Sequence, residues 1–429
     1  MPSATLDGAT PHASPPWWRN QQLWLAVGIA VAVRLVLALA WPPQCFSCDL
    51  KAWRLVAAST LVGVNPYAAT QLVNWPPLWM EVLYGLGKIS VRFDWDFFTC
   101  MRVFLTACDA VLVFSTFALL YLLNERRLAF RLVLLGLCLN PMLILLTVQQ
   151  GNFDVVPTIG IVWFVYSLIR FRRGGNAVDW LVAAAWLGLA TFAKTFPLVL
   201  IPLLAGESRR VGWKVRLTGA ALCVGPALLS LAPLYVLNPQ RITDVVLLYR
   251  GTPGPVGASG LLQLVCGYDS VLRYAPFFTV ALLGAMIGLT AVLWRAPLRR
   301  DSDVALLAAT VLIAVFEFGS GYCPQYWLWV APLLIAAYAH QPPGLRRLLC
   351  VAAVLIVLTN VLTFAYENIL GSFMLWWAPN FPGNARLRDL FSDTEHNLVL
   401  LSLPMTGITL LLWLHGCRSI AAERAKASQ

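Results

Sequence analysis

The sequence predicts an all-α polytopic membrane protein with about twelve transmembrane or half-crossing helices. Three observations predict it. Of the 429 residues, 59% are hydrophobic and only 12% are charged, against about 25% charged in soluble globular chains. The mean hydropathy is +0.72. Apolar runs also follow one another along the chain, most of them near the 17–25 residues, roughly, that a membrane-crossing helix needs. Soluble, disordered, coiled-coil and disulfide-scaffold classes fit none of this.

Residues 1–21 are polar and form a tail, charged only at Asp7 and Arg19. The run 22–41 lacks a small-residue cleavage pattern and reads as an uncleaved first span. Stretch 76–91 carries Glu81 and Lys88 and reads as a helix lying at the outer interface, so 42–97 becomes a first outer loop with interfacial helices. Further runs lie near 98–123, 128–148, 154–171, 179–205, 214–236, 275–295, 303–320, 324–340, 346–366 and 398–416. Within 179–205, Lys194-Thr195-Phe196-Pro197 marks a break, because Pro ends a helix. Two halves of about 13 residues would each reach about 20 Å, short of a core about 30 Å thick. That predicts a hairpin bordering a recess. Nothing divides the chain, so residues 1–429 read as one integral-membrane domain.

The net charge is +11 and the pI about 9.3. In a soluble chain this would suggest nucleic acid. Here the basic residues fall in alternate loops: Arg126 and Arg127, Arg170 to Arg173, Arg209 to Arg216, Arg295 to Arg300, Arg346 and Arg347, and the tail 417–429. That is the positive-inside pattern. It predicts both termini in the cytoplasm, the lipid bilayer as partner, no nucleic acid, and outward-facing loops at 42–97, 149–154, 194–197, 237–274, 321–325 and 367–397. Four scattered His residues form no metal pattern. Cys45 and Cys48 form a lone CxxC that could close a disulfide outside the cell.

The unusual polar residues gather in the outward loops. Asp49 precedes a helical pattern over Leu50–Val62 that stops at Gly63. A carboxylate there suits an N-cap or a general base. Gln149-Gln150-Gly151-Asn152-Phe153-Asp154 offers Asn152 and Asp154, whose amide and acid groups can grip sugar hydroxyls or cap the next helix. Lys194 sits in an apolar stretch, where an ammonium requires a partner such as a phosphate, or snorkels to the interface. Arg34, Arg102, Asp109 and Glu317 are intramembrane ionisable groups; Arg102 and Asp109 share a helix face and can pair or mark a ligand path. Gln325 and Tyr326 lie in a polar-aromatic cluster with Trp327 and Trp329. Asp94 and Asp96 make a DxD-like pair able to hold a divalent cation.

Read in order, these motifs resemble the C-type glycosyltransferase superfamily, and within it the bacterial polyprenol-phosphate-mannose-dependent mannosyltransferases. The matching residues are Asp49, Gly63-Val64-Asn65-Pro66-Tyr67, Trp75-Pro76-Pro77-Leu78, Arg102 with Asp109, Gly151 to Asp154, Lys194 to Pro197, and Pro324 to Trp329. The resemblance implies an inverting transferase that moves a sugar, mannose first among the options, from a polyprenyl-phosphate donor to a glycolipid, glycan or protein acceptor at the outer face. It gives Asp49 the part of general base, and Lys194, with Arg250 or Arg273, that of neutralising the lipid phosphate. Relatives often pair two acids in the first loop, whereas Leu50 and Lys51 follow Asp49 here. Metal-independent transfer without a cofactor is therefore expected. A lipid-linked sugar transporter is an alternative, but its polar groups should line a path to both faces. A lipid-diphosphate-dependent glycan ligase, relying on Arg386 and His396, is another.

Overall fold

The computed structural model describes residues 16–40, 48–69, 73, 75–243, 262, 265–266, 268–295, 298, 300–318, 325–365, 406–407, 410–414, 417–418 and 421. Arg250, the Gly321–Pro324 segment, loop 367–397 with Arg386 and His396, Cys45, and most of the run 398–416 lie outside the described residues. So does the side chain of Cys48.

Among the described residues the secondary structure is helical throughout. α1 (Gln21–Ala40) is followed by α2 (Cys48–Leu61), α3 (Pro66–Ala69), α4 (Leu78–Phe93) and α5 (Phe97–Leu122). Then come α6 (Arg126–Val133), α7 (Pro141–Leu145), α8 (Val155–Gly174), α9 (Ala177–Ala193), α10 (Ile201–Glu207), α11 (Trp213–Leu237) and α12 (Pro239–Ile242). The rest are α13 (Tyr268–Arg295), α14 (Asp301–Phe318), α15 (Tyr326–Tyr338) and α16 (Pro343–Ala365).

The protein is an all-α polytopic membrane protein. Among the described residues five helices are long and apolar enough to cross a bilayer: Gln21–Ala40, Phe97–Leu122, Val155–Gly174, Trp213–Leu237 and Phe277–Arg295. A sixth forms if Arg126–Cys138 and Pro141–Gln150 count as one span bent by 48°. The expected twelve is thus not reached by length and apolarity among the described residues. α14 carries three acids, and α15 is only 13 residues long.

Run 128–148, expected as one span, is broken. α6 passes into a π-helical turn at Leu134–Cys138, and α7 into another at Leu146–Gln150. The break falls where Asn140 caps α7 and Pro141 opens it. Pro141 has no N–H to offer the carbonyl of Leu137, and the N–H of Met142 goes to Asn140 Oδ1. Arg34 of α1 takes both abandoned carbonyls, donating to Leu137 O at 3.0 Å and Cys138 O at 3.1 Å. Its Nε meets Asp109 Oδ2, which also accepts from Thr147 Oγ1. Asp109 therefore pairs with Arg34 across helices. Arg102, on the same face of α5, reaches Ala38 O at 3.0 Å instead.

The predicted hairpin at 179–205 is present but lopsided. α9 is 17 residues long, a rise of about 25 Å. The return leg is a 3₁₀ turn at Phe196–Leu200 followed by the 7 residues of α10. Its vertex is level with the start of α8, so the outward leg is longer than the sequence estimate. α8 and α9 lie close: a Cβ on Gly160 would stand 2.8 Å from Ala190 Cβ. Small residues let membrane helices approach in this way.

The two ends of the bundle differ. At one, Arg172 at the end of α8 pairs with Glu207 of α10 and lies 3.4 Å from Asp301 of α14. Arg173 holds Asp301 at 2.6 Å, and Arg210 reaches Glu207 at 3.4 Å. At the other end lie the start of α2, the turn before α8, the α9 break and the start of α15.

Candidate active site

The turn before α8 is built on Gly151. It takes φ +64°, a left-handed conformation that costs glycine little. A side chain there would also strike Leu50 of α2, so the first loop packs directly on this turn. Asn152 sends its backbone N–H to Leu146 O at 2.9 Å. Its Oδ1 accepts from the backbone N–H of Asp154 at 2.8 Å. The amide of Asn152 thus shapes the turn that presents Asp154.

Asp154 occupies the N-cap position of α8, yet its side chain makes no capping bond. It turns away to Lys194, with Oδ1 2.6 Å from Nζ. The carboxylate has no exposure, while the lysine side chain keeps 24% of its own. Lys194 follows α9 in extended conformation at φ −156°, which swings its side chain out of the helix and toward α8. The sequence left open a phosphate partner or snorkelling; the ammonium has a protein counter-ion.

Aromatic rings enclose this pair. Lys194 Nζ stands 5.3 Å from the centre of Phe153, 5.7 Å from Tyr326 and 5.5 Å from Trp329, within cation–π range. Trp329 stacks on Phe196 at 9° and on Tyr326 at 26°. On the other side, Trp79 stacks on Phe153, and Trp53 and Trp75 close around the same ring. The ammonium therefore lies between two aromatic stacks.

Asp49 lies in the first turn of α2 and is half-buried. Burial pushes its carboxyl above the ordinary carboxylate range; the charge of Lys194 pulls it back and that of Asp154 pushes it up again. Those influences place all three groups in one neighbourhood. Asp154 is likewise raised, by burial first, with Lys194 and then the Trp329 indole opposing. The Trp329 indole is thus a neighbour of that carboxylate. Asp154 Oδ2 has no hydrogen-bond partner among the described residues.

Two turns of the first loop brace the site. Tyr67 donates its hydroxyl to Trp75 O at 2.6 Å, joining the Asn65-Pro66 and Trp75-Pro76-Pro77 turns. Arg241 of α12 donates to Tyr67 O at 3.2 Å, tying the chain after α11 to the same loop.

The structure thus brings Asp49, Asn152, Asp154, Lys194 and Tyr326 together. Gln325, buried at the start of α15, has its Oε1 without a hydrogen-bond partner among the described residues. Glu317, buried near the end of α14, has an unpartnered Oε1 there too. Arg273 is exposed near the start of α13. Asp94 and Asp96 are both exposed and serve helix ends. Asp94 closes α4 in a left-handed conformation, and Asp96 caps α5 by accepting from Thr99 N at 2.9 Å. No group of three or more His, Cys, Asp or Glu suited to a metal ion occurs among the described residues.

Sequence reasoning missed Trp53 and Trp79 as walls of the site and Arg34 as the partner of Asp109. The Trp residues fall at positions that also suit interfacial anchors, which hides them. The Arg34 pairing had a signal: an arginine inside span one requires a partner at the same depth.

No protein-family model matches this chain, and no curated protein matches it significantly. Among solved structures, the crystal structure of ArnT from Cupriavidus metallidurans bound to undecaprenyl phosphate is similar at 15% identity, over 92% of this chain and 78% of that one, with a TM-score of 0.47.

Proposed function

We propose that this protein is an inverting membrane glycosyltransferase that moves a sugar from a polyprenyl-phosphate donor to an acceptor hydroxyl. The observation that carries the proposal is the convergence of Asp49, Asp154 and Lys194 in one aromatic-walled site at the end of the bundle opposite the arginine network. By the positive-inside rule that end faces out of the cell.

Asp49 is the general base. It takes the proton of the acceptor hydroxyl as that oxygen bonds to the anomeric carbon. The bond from that carbon to the phosphate oxygen breaks on the opposite face, inverting the centre and releasing polyprenyl phosphate. A carboxyl held above the ordinary range is a stronger base than a solvated one and is better matched to neutral pH. Lys194 meets the phosphate, where its charge stabilises the negative charge that builds as the bond breaks. The aromatic walls stack against sugar or prenyl carbons.

Mannose is the first sugar to test, on the motif resemblance, with a glycolipid, glycan or protein as acceptor. Purified protein is incubated with a panel of polyprenyl-phosphate sugars, polyprenyl-phosphate mannose among them, and a panel of acceptors. Donor loss coupled to formation of a glycosylated acceptor supports the proposal. Intact donor throughout, with the folded protein present, would overturn it.

A further inference from the structure

Asp154 has no place yet in the transfer chemistry. It is a fully buried carboxylate, one oxygen of which is spent on Lys194 while the other has no hydrogen-bond partner among the described residues. In the buried pair Arg34–Asp109, by contrast, the guanidinium also donates to two backbone carbonyls and the carboxylate also accepts from Thr147. An oxygen left open inside a low-dielectric site costs free energy unless something fills it at some stage of the cycle.

Charge balance says what fills it. Asp49 and Asp154 are two anions and Lys194 one cation, so the empty site carries a net −1 with all three ionised. A sugar phosphodiester adds another negative charge beside Lys194. Two anions, the phosphate and Asp154, would then compete for one ammonium in a buried site. Among the described residues the charge that acts on Asp154 is that of Lys194, and the neighbouring elements supply no second free cation. α2 contributes Asp49, the α9 break Lys194, and α15 the neutral Tyr326. On α5, Asp109 holds Arg34, and Arg102 is turned to Ala38 O. α14 brings no cation, its ionisable residues being Asp301, Asp303 and Glu317.

We infer that donor binding is coupled to the uptake of one proton by Asp154, and that this frees Lys194 for the donor phosphate. The proton comes from solvent and resides on Oδ2, the oxygen with no other partner. Oδ1 then stays as a neutral acceptor toward Lys194, and the site keeps its net charge of −1. Asp49 remains ionised and ready to accept the acceptor proton. When polyprenyl phosphate leaves, Asp154 releases its proton and again binds Lys194 as an anion. Asp154 is thus a positioning residue, acting through Lys194. The inference rests on the proposed function, since it requires a lipid phosphate as ligand.

The test uses the full chain in detergent and a short-chain polyprenyl phosphoryl-mannose, a phosphodiester whose single charge does not titrate near neutrality. Calorimetric titration in two buffers of different ionisation enthalpy counts protons exchanged on binding. The expected result is an uptake of about one proton and an affinity that falls about tenfold per pH unit on the alkaline side. Asp154→Asn should abolish the uptake and flatten the pH dependence. Asp49→Asn should retain both, and it guards against a misfolded Asp154 variant. Equal heats in the two buffers for the wild type, or loss of uptake in Asp49→Asn, would overturn the inference while leaving the transferase reading intact. Failure of this donor and of the other sugars in the panel to bind at any pH would instead sink the transferase reading.

Discussion

Two of the buried ion pairs among the described residues are built in opposite ways. Arg34 and Asp109 form a closed pair. The guanidinium also takes two carbonyls abandoned at the Pro141 break, and Asp109 also accepts from Thr147. Asp154 and Lys194 form an open pair: the carboxylate leaves one oxygen unpartnered among the described residues, and the ammonium keeps partial exposure and faces three rings. A closed pair uses its hydrogen-bonding capacity on the protein and locks helices together. An open pair keeps capacity for a ligand. Both pairs look alike in sequence, as charged residues within or beside apolar runs; only the surplus of donors and acceptors separates them.

The largest expected effect tests the open end directly. Asp49→Asn should cut turnover by about 10²–10⁴-fold, because an amide cannot accept the acceptor proton. Donor affinity and thermal unfolding should stay near wild type. Near-normal turnover would move the base to Asp154, the other carboxylate at the site.

The closed pair should fail in the other currency, stability. Arg34→Met leaves Asp109 buried without its cation, which costs about 3–5 kcal/mol. A lowered unfolding temperature in detergent measures it. The double variant Arg34→Met/Asp109→Leu should recover much of the loss, since an apolar pair needs no compensation. An unchanged unfolding temperature in Arg34→Met would remove the distinction between the pairs.

Much of this arrangement was legible in the sequence, for physical reasons. Apolar length and loop charge identify the class, and Gly63 and Pro197 mark helix ends because glycine and proline act on the backbone locally. Asp49, Asn152, Asp154, Lys194 and Tyr326 all carried a signal, since polar groups near the membrane boundary require a reason. What the sequence could not disclose is which acid serves which cation. Asp109 shares a helix face with Arg102 but pairs with Arg34, which the carbonyls left at the Pro141 break hold beside it. Nor could it separate the cap from the ligand at position 154. An aspartate before a helix is commonly a cap, and this one turns to Lys194 only because the α9 break places an ammonium within reach.

A smaller effect sharpens the contrast through pH. As the proposed base, Asp49 must be ionised, so kcat/KM should rise with pH through its raised value. Lys194 lowers that value and Asp154 raises it. Lys194→Met should therefore shift the acid limb of the kcat/KM profile, which reports the donor-free protein, to higher pH, and Asp154→Asn should shift it to lower pH. The opposite displacements are the check, since a purely structural disturbance would not reverse sign between the two variants. Lys194→Met should also weaken donor binding and lower stability, because Asp154 loses its counter-ion.

The smallest expected effect is that of chelation. A metal-dependent transferase needs carboxylates free to converge on the ion. Here Asp49 and Asp154 already share the field of an ammonium between them, and a divalent cation entering that space would be repelled by Lys194. The DxD-like pair is no better placed. Asp96 gives an oxygen to the cap of α5, and Asp94 ends α4 in a left-handed turn. A lipid monophosphate also leaves with less charge than a nucleotide diphosphate, so a fixed cation can meet the demand. EDTA should therefore leave turnover within about twofold of the untreated enzyme, a change worth roughly 0.4 kcal/mol in barrier. Complete loss, restored by Mn²⁺ or Mg²⁺, would mean that Lys194 swings away from Asp154 to admit a metal, and the open pair would then be a metal site rather than a phosphate site.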